Sequence, residues 1–186
     1  LSLVGSEMCI RDSINPFQLV NCADLGDVGP NPIDLQDSLD RITAFYAELK
    51  QRRITPMTVG GDHLVSLPVL RGLAADQPLA MIHFDSHTDL FDSYFGGFKY
   101  THGTPFRRAI EEGLLDPKHV VQIGIRGTAA SFDDIEWGES QGVRIIRIEE
   151  LFDRGVAAVM EEARSIVGER PTYCSFDIDF VDPTFA

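Results

Sequence analysis

Three short acidic clusters constrain this chain more than any other feature: Gly60-Gly61-Asp62-His63, Asp85-Ser86-His87-Thr88-Asp89 and Asp177-Ile178-Asp179. Each comes at the end of an apolar run that reads as a buried strand, at residues 54–59, 79–84 and 173–178. Nearly continuous apolar strands separated by helix-length segments belong to parallel sheets covered by helices. Open parallel sheets bind ligands outside the carboxyl ends of their strands. All three clusters fall there, so fold and ligand placement agree.

The alternation runs through most of the chain. A further strand is expected at residues 17–22, followed by a loop rich in Gly, Pro and Asp at 24–34. Residues 38–52 carry Leu39, Ile42, Phe45, Tyr46 and Leu49 on one helical face, with Asp37 or Ser38 as the cap. Residues 64–75 and 105–113 read as short helices, 120–125 and 143–148 as strands, and 149–167 as one long helix. That helix places Leu151, Phe152, Val156, Val159, Met160, Ala163 and Ile166 on one side. The expected class is α/β with a mostly parallel sheet, and no repeat or linker marks a second domain.

The balance of 29 acidic against 16 basic residues gives a net charge of −13, which argues against nucleic acid or an anionic membrane as partner. Cys9, Cys22 and Cys174 form no Cys-x-x-Cys pair, so a reducing, cytoplasmic setting is expected. No apolar run approaches the ~20 residues of a membrane helix, and no secretory signal pattern opens the chain. Residues 1–13 read as a non-native leader and 14–186 as a partial domain.

The clusters supply the chemistry. Asp85, His87 and Asp89 are spaced i, i+2, i+4, which puts them on one face of an extended segment, and Asp177 and Asp179 share a face by the same rule. His63 follows two glycines that permit a tight turn. Four carboxylates and two imidazoles without thiolate make an oxygen-rich donor set, which suits Mn²⁺ better than structural zinc. Two ions sharing carboxylates would hold a water that ionises near neutral pH. Hydrolysis of a poorly electrophilic substrate is the reaction this implies.

The motifs GGDH, DSHTD and SFDID, in this order and strand context, resemble the ureohydrolase family of arginases and agmatinases. Asp24-Leu25-Gly26-Asp27-Val28 and His102-Gly103-Thr104-Pro105-Phe106-Arg107-Arg108 resemble its agmatinase branch, which includes guanidinobutyrases and guanidinopropionases. The resemblance spans residues 18–186 and implies an arginase-like three-layer α/β/α sandwich, incomplete at the C-terminus. It implies two Mn²⁺ per chain, one held by His63, Asp85, Asp89 and Asp177, the other by His87, Asp85, Asp177 and Asp179. Asp89 would relay a proton and His102 would match the family's proton-shuttle histidine. The implied reaction cleaves a linear guanidino compound to urea and an amine, with agmatine as the leading substrate. 4-Guanidinobutyrate, 3-guanidinopropanoate and a catalytically defective metal-binding fragment are the alternatives. Family members usually form trimers or hexamers, so a homo-oligomer is expected of the full-length protein. The family continues past this chain into a segment whose glutamate anchors the guanidinium.

Other side chains receive structural readings. His83 shares parity with Asp85 and is expected to be a buried, hydrogen-bonded histidine or else a support behind the ligands, and His119 is expected to face solvent. Asp62 and Asp182 serve turns, Phe132 and Trp137 pack helices, Cys174 lies in the core, and Arg107 and Arg108 occupy a solvated helix face.

Overall fold

The computed structural model describes residues 19–127 and 133–185. Four parallel strands form one sheet in the order β3-β2-β1-β4. They are β1 (Leu79–Phe84), β2 (Leu115–Ile125), β3 (Arg144–Arg147) and β4 (Thr172–Phe176). The helices are α1 (Leu35–Gln51), α2 (Ser66–Leu73), α3 (Pro105–Glu111), α4 (Asp133–Gln141) and α5 (Ile148–Val167). Two 3₁₀ turns, His63–Val65 and Ile178–Phe180, carry acidic-cluster residues.

Strand parity divides the core. Met81, Leu115 and Ile145 lie on one face with Leu67 and Leu70 of α2, Phe106 of α3 and Ile135 of α4. Ile82, Val121, Ile123 and Ile146 lie on the other, under Val159 and Ala163 of α5. Helices therefore cover both faces of a parallel sheet, as the apolar strands require. α1 packs on α2 through Gly72, where an added Cβ would meet Tyr46 Cβ at 2.7 Å and Thr43 O at 2.8 Å. Only a residue without a side chain lets these helices approach so closely.

Several expectations are corrected. Of the strand expected at 17–22, residues 17 and 18 lie outside the described residues and 19–22 are exposed and not extended in a sheet. Residues 54–59 also form no strand, and Met57 and Val59 are exposed. A strand exists by bonding its backbone to a neighbour, and neither run has one among the described residues. α1 starts earlier than expected because Asp34, not Asp37 or Ser38, caps it by accepting from Asp37 N at 3.1 Å. The long helix is two pieces joined at Gly155 (φ 77°, ψ 156°), which turns Phe152 and Val156 out to solvent. Cys174 is exposed, since α5 packs across β2, β1 and β3 but not the edge strand β4. Arg108 is buried, bonding Asp92 Oδ1 at 3.1 Å and Glu111 Oε2 at 2.9 Å, while the Arg107 guanidinium lies 4.3 Å over the Trp137 ring. His119 is half-buried, with Nδ1 2.6 Å from the Ile166 carbonyl oxygen. Phe132 lies outside the described residues.

Candidate metal centre

The three clusters meet at the carboxyl end of the sheet. β1 and β4 are adjacent parallel strands with Phe84 opposite Phe176, so Asp85 and Asp177 leave the sheet side by side. Asp177 N donates to Phe84 O at 2.9 Å and Asp85 N to Ile123 O at 3.2 Å, which fixes both exits. His63 arrives from outside the sheet on a 3₁₀ turn capped by Asp62, which accepts from Leu64 N at 2.8 Å. That assigns Asp62 the turn role expected of it. Asp182 likewise serves a turn, accepting from Thr184 N at 2.8 Å.

The carboxylates converge by turning rather than by strand alternation. Asp89 takes a left-handed backbone (φ 53°), which Asp tolerates better than most residues. Asp177 caps the second 3₁₀ turn, accepting from Asp179 N at 2.9 Å. The expectation of extended segments with a period of 2 is therefore corrected, although the same side chains are brought together.

Two foci result. His63 Nδ1 lies 2.9 Å from Asp89 Oδ2, 3.2 Å from Asp85 Oδ2 and 3.4 Å from Asp177 Oδ2. His87 Nδ1 lies 3.0 Å from Asp179 Oδ2 and 3.6 Å from Asp85 Oδ1. Asp85 faces both imidazoles, one through each oxygen. His83, His63 and Asp85 also form a compact group of ligand-type atoms, within 4.8 Å of one another. Both His83 nitrogens already have protein partners, however: Asp85 Oδ2 at 2.8 Å and the Gln122 amide at 3.1 Å. Asp89 and Asp177 are therefore the better companions for His63.

The donor set fits divalent cations. His63 Nε2 is taken by Ser175 Oγ at 2.8 Å, while Nδ1 is buried and makes no hydrogen bond among the described residues despite three carboxylates around it. An aromatic nitrogen turned toward carboxylates without hydrogen-bond geometry is placed as a metal ligand would be. Burial opposes protonation of His63, yet Asp85 and Asp89 outweigh it and raise its pKa to about 10. The Asp85 carboxylate raises His87 to about 9 against partial burial. Burial also opposes ionisation of Asp85, but His63, His83 and His87 hold its carboxyl far below the usual range. Burial pushes Asp89 up, against the pull of His63. The imidazoles are thus recruited as cations by a site rich in negative charge.

A cleft of about 370 Å³ opens onto the foci. Phe91, Tyr94, His102 and Gly103 line it above the carboxylates. His102 lies edge-on to Tyr94 at 5.5 Å and Phe95 at 5.6 Å between ring centroids. All six expected ligands and His102 therefore border one cleft. Sequence reasoning missed the groups that hold them: Ser175, Gln122, Arg126 and Gly127. Arg126 Nη2 donates to Asp179 O at 2.6 Å and Val181 O at 3.1 Å, anchoring the second turn. The available signal was a polar residue inside an otherwise apolar run, as with Gln122 in Val-Val-Gln-Ile-Gly-Ile.

A parallel α/β sheet that gathers acidic and imidazole groups at its strand ends has its candidate metal site where open α/β folds bind ligands. The chain belongs to the arginase family, whose model matches residues 3–186. It is 56% identical over 173 residues to guanidinopropionase of Pseudomonas aeruginosa, covering 93% of this chain and 54% of that protein. It is 41% identical over 172 residues to the mitochondrial agmatinase of Gallus gallus, covering 92% and 50%. The solved proclavaminate amidino hydrolase of Streptomyces clavuligerus superposes with a TM-score of 0.85 at 37% identity, over 96% of this chain and 60% of that one. The chain spans about half the length of the curated relatives it matches.

Proposed function

We propose that the protein is a binuclear manganese amidinohydrolase that releases urea from a linear guanidino acid. The observation that carries this reading is the convergence of six ligand-type groups on two foci that share Asp85. His63, Asp85, Asp89 and Asp177 would hold one Mn²⁺, and His87, Asp85, Asp177 and Asp179 the other. Similarity to guanidinopropionase at 56%, against 41% for an agmatinase, puts 3-guanidinopropanoate ahead of agmatine as substrate.

When bound, such a pair of ions supplies Lewis acidity and a nucleophile at neutral pH. The chain's own groups do the rest. The guanidinium of the substrate stays protonated and is a poor electrophile in water. The aromatic walls, Phe91 and Tyr94, keep the aliphatic part of the substrate out of bulk water. Asp89, which borders the cleft with Oδ2 beside His63, is placed to accept a proton at its carboxyl oxygen. His102 at the exposed rim passes protons between cleft and solvent and supplies one to the leaving amine, which departs only when protonated.

The test is urea release by the Mn²⁺-loaded protein offered 3-guanidinopropanoate, 4-guanidinobutyrate and agmatine, with bound manganese counted in parallel. Two ions per chain and preference for a guanidino acid are expected. Preference for agmatine would overturn the substrate assignment, and failure to take up manganese would overturn the metal assignment.

A further inference from the structure

The last buried rung of the sheet is polar. His83 on β1 stands in register with Gln122 on β2 and Ser175 on β4. His83 and Gln122 are fully buried and Ser175 is nearly so. Buried polar side chains persist where they are hydrogen-bonded, and here each bond leads toward the metal foci. Ser175 holds His63, as described above. The Gln122 amide nitrogen lies 2.6 Å from the Thr88 carbonyl oxygen and 3.1 Å from His83 Nδ1.

Chemistry fixes the orientation of that amide. A carbonyl oxygen only accepts, so the end of Gln122 beside Thr88 O is the NH₂. The opposite orientation would press two acceptor oxygens together. The second amide hydrogen then goes to His83 Nδ1, which must be an acceptor, so the imidazole proton sits on Nε2. That N–H donates to Asp85 Oδ2 at 2.8 Å. Phe106 packs against the His83 ring at 4.5 Å between centroids, which restrains its tilt. Gln122 Oε1 is left buried without a partner among the described residues. The fold thus keeps the amide nitrogen in place at the expense of the amide oxygen.

We infer that Gln122 is a positioning residue that locks His83 in the Nε2–H tautomer, so that His83 orients the shared carboxylate Asp85 instead of becoming a ligand itself. The inference rests on the two-metal reading above. With Oδ2 held by His83 Nε2–H and Oδ1 by the His87 backbone N–H at 2.7 Å, Asp85 presents one oxygen to each focus. Distance alone leaves His83 a candidate ligand, and the amide removes it from that role.

Two measurements test this. ¹⁵N-edited NMR of the imidazoles in the metal-free protein, with His83 assigned by its loss in His83→Asn, should show Nε2–H for His83. An Nδ1–H or doubly protonated ring would overturn the inference. In Gln122→Glu the carboxylate cannot donate to Nδ1. Nδ1 must then donate to it, which puts a proton on both ring nitrogens, and the resulting cation competes with manganese for Asp85. Manganese affinity should then fall about 10–100-fold, as when other outer partners of metal ligands are lost. An unchanged affinity in folded Gln122→Glu would overturn the inference, and should that variant fail to fold, the tautomer in the unmodified protein decides. Failure of the unmodified protein to take up manganese would instead overturn the metal reading, and this inference with it.

Discussion

Gly127→Ala should remove one manganese position without unfolding the protein. The loop after β2 passes behind the His87 ring, and Gly127 N donates to Ser86 O at 2.7 Å. An added Cβ would stand 2.3 Å from His87 Cδ2, 2.5 Å from Nε2 and 2.9 Å from Ser86 O. Carbon–carbon contact requires about 3.5 Å, so the ring must yield by roughly 1 Å. Metal–ligand distances tolerate only about 0.2 Å. The collision falls on the ring edge away from Nδ1, so the imidazole is either driven into Asp179 or swings outward. Its side chain is 44% exposed, which makes the outward swing available and limits the damage to the fold. Overpacking of this kind costs about 1–3 kcal/mol. At the His87 focus, affinity should fall at least about 10–100-fold, which is about 1.4–2.7 kcal/mol. Metal content by ICP-MS after Mn²⁺ loading and desalting, with thermal melting in EDTA, reads both effects. A folded variant that retains two ions at the unmodified affinity would refute the reasoning.

Protons should compete with manganese. Asp85 and Asp89, against burial, raise His63 to about 10, and the Asp85 carboxylate raises His87 to about 9, so metal uptake near pH 7 should displace about two protons. Calorimetry in buffers of different ionisation enthalpy counts them, and uptake without proton release would contradict the assignment. Both groups are raised above the unfolded value of about 6.5. Their stabilisation is therefore complete below about pH 6.5 and is lost as pH rises through about 9 to 10, so the metal-free protein should melt lower at pH 9 than at pH 6. Gly72→Ala sets a Cβ 2.8 Å from Ala47 N and Thr43 O, backbone atoms of α1 that cannot yield cheaply. It should cost about 1–3 kcal/mol or more, roughly 2–4 °C of melting temperature per kcal/mol, with manganese content per folded chain unchanged. Arg126→Met frees the backbone carbonyls of Asp179 and Val181 and should weaken manganese binding about tenfold with a small change in melting temperature.

What was legible in the sequence was whatever a local pattern encodes. β1 and α3 are nearly as long as expected because apolar runs and a proline at the helix start mark them, and the six ligands stood out by residue type. The run at 54–59 misled because β-like composition says nothing about whether a neighbouring strand is present to bond it. The break at Gly155 was hidden because the apolar spacing of a helix continues on both sides of one residue with positive φ. Arg108 looked like a surface residue until Asp92, sixteen positions earlier, folded back onto it. The ligands themselves announced the site, while its supports did not. Gln122, Ser175 and Gly127 acquire their roles only when strands far apart in sequence are set in register, and no local pattern carries that information.

The arrangement of charge shows why those supports are needed. Asp85 and Asp89 are almost fully buried, and buried carboxylates are costly unless compensated. Protonated His63 and His87 offset half of the four charges on Asp85, Asp89, Asp177 and Asp179. Two divalent cations would offset all four and return both imidazoles to the neutral form in which they act as ligands. Below this ionic layer the sheet does not become apolar at once: the neutral rung of Ser175, His83 and Gln122 comes between. Each member donates or accepts without adding a charge, so the carboxylates are oriented by groups whose own burial is tolerable once bonded. An apolar rung would leave Asp85 unheld on its inner side, and a charged one would compete for the metal. A neutral hydrogen-bonding rung meets both demands, which is why three polar side chains stand at the same level on three adjacent strands.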